Sequence, residues 1–186
     1  MENFNAANFI KRLLGFLRSP ALTVREAIDE EAKTDAGAAL IVANILALIV
    51  TVLMYFYLSY KYKALAAYIG GFSLVKMLGK TVLNVNIGFA LSVAAYYHVG
   101  KAFKGSGTLQ DIFIALAMIC VPVSIISTLG SAFPALSGAA RILNLGLEYI
   151  AVKEAHRFDE PKDVIITAIG VSVALYAVGY IISFVF

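Results

Sequence analysis

One cysteine, Cys120, and two histidines, His98 and His156, are all that 186 residues hold of those types. A single thiol excludes an intramolecular disulfide and leaves the redox compartment undetermined. Neither histidine has a cysteine or carboxylate array at ligand spacing, so no metal site is expected. Charge is also scarce: Asp, Glu, Lys and Arg make up 15% of the chain, too little to cover a separate soluble domain. HExxH, GxSxG and a glycine-rich loop ending in GK and Ser or Thr are absent, as is a pair of aspartates buried in two apolar runs. The sequence therefore reads as non-enzymatic, with no cofactor. Gly105-Ser106-Gly107 is a tight connection, not a phosphate loop, with Thr108 capping the next helix and Asp111 completing a capping box.

What the chain does have is apolar length, with 61% hydrophobic residues. Runs at Ala36 to Tyr60, Thr81 to Val99, Ile112 to Leu129, Ala139 to Val152 and Val164 to Phe186 approach the roughly 20 residues that a hydrocarbon core of about 30 Å demands. The expected fold is all-α, a polytopic membrane bundle of about five transmembrane helices preceded by an amphipathic interfacial helix. Residues 1–35 form the cytosolic and interfacial part and residues 36–186 the transmembrane domain. The net charge of +3 gives no reason to expect nucleic acid, because the cations flank the spans, where anionic lipid headgroups lie.

Cation counts orient the chain. Lys11, Arg12, Arg18, Arg25 and Lys33 precede the first span; Lys101 and Lys104 follow the second; Lys153, Arg157 and Lys162 follow the fourth. With five spans these share one side, against Lys61, Lys63, Lys76, Lys80 and Arg141 on the other. The bias places the N-terminus in the cytoplasm and the C-terminus outside, and the uncharged stretch after Asp163 fits a last helix that ends at the far surface. Ala6 to Pro20 lacks the uninterrupted apolar core of a cleavable signal, so insertion is expected to begin with the first span.

Within the N-terminal part, Phe9, Ile10, Leu13, Leu14, Phe16 and Leu17 alternate with Lys11, Arg12 and Arg18 at near-helical spacing. That pattern predicts a helix lying in the headgroup layer. Ser19-Pro20 restarts a helix, with Ser as cap and Pro in the first turn. Thr23 and Glu26 have capping-box spacing, and Arg25 to Lys33 form a charged stretch that either is simply solvated or receives a partner.

Polar residues inside the spans are the candidate sites. Asn44, Asn84 and Asn86 suit interhelical hydrogen bonds, with solute contact as the alternative. Ala39, Ala43 and Ala47, Gly88 and Ser92, and Gly170 and Ala174 permit close helix packing or a dimer seam. Pro122 should kink the third span. Arg141, Asn144 and Glu148 line one face of the fourth. Glu148 either pairs with Lys153 or binds a proton or cation within the bilayer, or else reaches the nearby charged interface. His98 reads as interfacial and Cys120 as core.

Three stretches together resemble the Yip family of Rab-interacting multi-pass membrane domains. Leu17-Arg18-Ser19-Pro20 with Val24 and Ile28 is similar to the family's lead-in helix. Tyr97-His98-Val99-Gly100-Lys101-Ala102-Phe103-Lys104-Gly105-Ser106-Gly107-Thr108-Leu109-Gln110-Asp111, followed by the run to Val121-Pro122, resembles its second-span exit, glycine turn and proline-bearing third span. Leu147 to His156 resembles its fourth span and short charged loop. The resemblance implies a five-span bundle with a cytosolic N-terminus. Eukaryotic members bind small GTPases in vesicle transport, whereas the short region before Ala36 resembles the compact prokaryotic branch and implies a plasma membrane. Lys104-Gly105-Ser106-Gly107 departs from the paired glycines common at that turn.

Two function classes follow. One is a membrane-organising or trafficking-like scaffold acting through lipid contacts and contacts with another copy or another membrane protein. The other is a small ion, proton or solute transporter or channel using Glu148, helped by Asn84 or Asn86.

Overall fold

The computed structural model describes residues 4–61 and 73–185, and among these every regular element is helical. The helices are α1 (Ala6–Gly15), α2 (Pro20–Asp29), α3 (Lys33–Lys61), α4 (Leu74–Ala102), α5 (Leu109–Ala132), α6 (Ser137–His156) and α7 (Pro161–Val185), with a 3-10 turn at Pro134–Leu136 before α6. Lys63 and Phe186, used above for the charge count and the last apolar run, lie outside the described residues.

Four helices are long and apolar enough to cross a membrane: α3, α4, α5 and α7. Arg141, Asn144, Glu148, Lys153 and Glu154 keep α6 out of that group, yet α6 traverses the bundle. At one end Gly130 of α5 abuts Ala140, where a Cβ on the glycine would come within 2.6 Å of the alanine Cβ. At the other end Gly100 and Gly105 lie against His156. The 20 residues of α6 cover about 30 Å at 1.5 Å per residue, the thickness of a hydrocarbon core. The polar helix thus completes a membrane bundle of about five crossing helices.

The core sits on α5. Ile112, Ile114, Ala115, Ala117, Met118 and Ile119 are buried, and α5 packs against α6, α3, α2 and α4. Burial all round an apolar helix marks a central element. Outward, Ile41, Ile45, Ile49 and Leu53 of α3 and Ile165, Ile169, Val173 and Tyr176 of α7 are exposed; these large apolar surfaces suit lipid contact.

α1 and α2 cover one end of the bundle. Asn5 caps α1, its Oδ1 accepting from the amides of Ala7 at 3.0 Å and Asn8 at 3.2 Å. Pro20 opens α2, but Ser19 makes no side-chain cap. Thr23 lies inside α2 and donates its hydroxyl to the Ser19 carbonyl at 2.9 Å, so the capping box expected from Thr23 and Glu26 does not form: the helix starts a turn earlier, at the proline. The box expected at Thr108 and Asp111 does form, at 3.1 and 2.8 Å.

Candidate functional site

A cavity of about 210 Å³ opens among α3, α4, α5 and α6. Its apolar walls include Leu40, Ala43, Val85, Phe89, Leu116, Ile119 and Val123, and its polar groups are Ser92, Tyr96, Cys120, Ser124 and Glu148. α5 runs on through Pro122, whose missing N–H deprives the Met118 carbonyl of its usual helical partner, and Cys120, Val123 and Ser124 around it face the cavity. Glu148 is half-buried, and its Oε2 accepts from the Tyr96 hydroxyl at 3.5 Å, the outer limit of a hydrogen bond. No described cation lies within ion-pair distance of this carboxylate. The cavity is lined by part of each helix. Its lining on α5 ends at Ser124, about 12 Å short of the helix end at Ala132, and on α4 at Val85, about 16 Å short of Leu74.

The other intramembrane polar residues do not join Glu148. Arg141 is exposed near the far end of α6. Asn144 donates to Ser127 Oγ at 2.9 Å, and its buried Oδ1 has no partner among the described residues. Asn86 and Asn44 exchange carboxamide hydrogen bonds of 2.9 and 3.4 Å between α4 and α3. Asn84 points outward, away from the cavity. Helix phase explains this: Val85, Phe89, Ser92 and Tyr96 share one face of α4, and residues 84 and 86 fall a hundred degrees to either side.

The N-terminal residues divide between core and surface. Phe9 and Phe16 are buried in the same core as α5, and Leu13 is partly buried against it. The exposed apolar row is instead Ile10, Leu14 and Leu17, 54%, 58% and 84% exposed, with Leu22 beyond it. Lys11 and Arg18 are exposed beside this row. Arg12 turns inward, pairing with Glu30 and with the buried Asp35 at the start of α3. The two phenylalanines and Arg12 therefore dock α1, and the aliphatic side chains are left to face outward.

His156, at the end of the stretch that resembles a fourth span and short charged loop, is 1% exposed. Its Nε2 lies 2.9 Å from the Tyr96 carbonyl. A carbonyl only accepts, so Nε2 carries the proton; Nδ1 is buried without a partner among the described residues. The Phe158 ring sits 5.1 Å away. A Cβ on Gly100 or Gly105 would overlap the imidazole, and one on Gly107 would overlap the Ala155 carbonyl. Ser106 closes the turn, donating its amide and its hydroxyl to the His156 carbonyl, each at 3.1 Å. Burial lowers the His156 pKa and nearby Lys101 adds to that, while the bond to Tyr96 and the charge of Asp111 oppose it. The signal for this lock was the glycine spacing at 100, 105 and 107, which sequence alone read as turn chemistry.

The same end carries paired charges. Arg25 of α2 bonds Glu154 of α6 at 2.7 Å, and Arg157 lies 3.6 Å from Asp29. Expected cations on either side of these helices, Lys101, Lys104, Lys153 and Lys162, gather at this end too, whereas Lys76, Lys80 and Arg141 lie at the other.

Residues 14–182 match the model of the Yip1 domain. No curated protein and no solved structure matches the chain. The match takes in α2 through α7 with the glycine turn, the Pro122 helix and the buried end of α6, and this membrane protein belongs to the Yip1 domain family.

Proposed function

We propose that the protein is a non-enzymatic membrane-organising scaffold that works from a cytosolic N-terminus. The observation that carries this reading is the outward row Ile10, Leu14 and Leu17, flanked by Lys11 and Arg18, along α1 and the turn that follows it, docked on the bundle through Phe9, Phe16 and Arg12. Aliphatic side chains beside cations suit insertion at the boundary between headgroups and acyl chains. Because the helix is docked on the bundle, such insertion would displace lipid on one leaflet only. Its partners are membrane lipids, and either another copy of the chain or a second membrane protein.

The test uses proteoliposomes of the full chain, following vesicle size by light scattering together with ion and proton flux. Vesicle remodelling or tethering without flux, lost when Ile10, Leu14 and Leu17 are all changed to Ser, is the expected result. Flux above that of empty liposomes and abolished by Glu148→Gln would replace the scaffold with the transport alternative.

A further inference from the structure

Glu148 faces a cavity whose chemistry is unusual for a helix interior. Its carboxylate has a single long hydrogen bond, from Tyr96 at 3.5 Å, and no described cation within ion-pair distance. Ser92 and Ser124 also line the space, and their hydroxyls bond to no described residue. Acceptors thus converge on a volume of about 210 Å³ that is otherwise walled by Leu40, Phe89, Leu116 and other apolar side chains. Small-molecule sites combine such walls with a few convergent polar groups.

We propose that this cavity binds a small organic ammonium with an apolar body. An unpaired carboxylate within a membrane bundle is costly, and a bound cation with N–H donors offsets that cost through a charge-assisted hydrogen bond. The walls decide among cations. A metal ion needs a shell of several oxygen ligands, and one carboxylate with two or three hydroxyls between aliphatic walls does not supply it. An ammonium needs only three acceptors, and its carbon body fills the apolar remainder beside the Phe89 and Tyr96 rings, where a cation gains further from aromatic faces. The amine of a lipid headgroup would bring a phosphate with it, and no Lys or Arg lines the cavity. The amine is therefore free, and about the size of phenethylammonium. The cavity is separate from the Ile10, Leu14 and Leu17 row, so its occupancy does not depend on the scaffold role.

The test measures binding of radiolabelled phenethylammonium to the full chain in phosphatidylcholine nanodiscs. Saturable binding at one site per chain is expected, displaced by other small primary ammonium ions but not by sodium chloride or by neutral 2-phenylethanol. Glu148→Gln should weaken it at least about thirtyfold, the low end of the loss seen when one partner of a buried charge pair is removed. Val85→Phe, which keeps the carboxylate and fills the cavity, should weaken it as well. Non-saturable uptake equal to that of empty nanodiscs, displacement by sodium, or equal competition by the neutral alcohol would overturn the proposal on the unaltered protein alone. Wild-type affinity in a folded Glu148→Gln protein would do the same.

Discussion

Gly100 of α4 lies directly against the imidazole of His156 at the end of α6, close enough that the glycine hydrogen occupies the only space between backbone and ring. The imidazole hydrogen bond to Tyr96 at 2.9 Å ties it to the same turn of α4. Tyr96 therefore links two places: its carbonyl holds His156, and its hydroxyl reaches Glu148 in the cavity. The histidine works as a packing element that sets how α4, the glycine turn and α6 meet.

Gly100→Ala should accordingly destabilise the bundle by about 1–3 kcal/mol, the usual cost of overpacking a filled core. His156→Ala on its own should cost a comparable amount through a cavity and the lost hydrogen bond. Combining the two should cost much less than the sum, since residues in contact couple strongly. Thermal unfolding in detergent of the four proteins of this cycle checks the claim, and simple additivity would show that the two do not meet as described.

The buried imidazole also gives a pH dependence of definite sign. Burial lowers the folded-state pKa of His156 below its ordinary value, about 6.5 in the unfolded chain. The unfolded state then takes up the proton first. The stability due to neutral His156 is complete above about pH 6.5 and falls away as the pH drops from there through the folded-state pKa. Unfolding midpoints taken from about pH 7.5 down to pH 5 should fall more steeply for the wild type than for His156→Gln. The comparison removes the carboxylate contribution common to both, and parallel curves would mean that His156 is not buried in its neutral form.

Arg12 offers a separate test of the N-terminal helix. Its guanidinium pairs with Glu30, which is exposed, and Asp35, whose side chain is 9% exposed. Arg12→Gln leaves a buried carboxylate without its partner and should cost about 3 kcal/mol. Adding Asp35→Asn should recover most of that. Limited trypsin digestion should report the same change locally, with cleavage after Lys11 and Arg18 accelerated in the single variant and slowed again in the double.

Hydropathy and length were enough to read the helical membrane bundle and most of its helices, because apolar runs of that length have few other uses. The Thr108 and Asp111 box was legible for the same local reason: both partners lie within one turn. What stayed hidden depended on helix phase and on distant partners. Phe9 and Leu14 look alike in the sequence, yet the first is in the core and the second faces outward. Asn86 bonds Asn44 while its near neighbour Asn84 bonds no described residue, and no pattern local to α4 announces the difference. The turn after α4 shows the same limit. Its left-handed residue is Lys104, with φ of 66°, so the adjacent glycines are there for closeness to α6 and not for backbone freedom.

The two asparagines of α4 make the most direct comparison. Asn86→Leu removes both carboxamide bonds with Asn44 and leaves that group to bond only the Leu40 carbonyl, 2.9 Å away, within its own helix. Interhelical hydrogen bonds in membranes average about 0.6 kcal/mol, so a loss of that order is expected. Asn84→Leu exchanges an outward carboxamide, bonded to no described residue, for an apolar side chain in the same position. It should leave monomer stability unchanged or raise it slightly, because a polar group facing hydrocarbon is disfavoured. Unfolding titrations in mixed micelles would separate the two. A larger loss for Asn84→Leu than for Asn86→Leu would mean that residue 84 has a partner outside this chain, and a fall in the cross-linked dimer on the same substitution would identify that partner as a second copy.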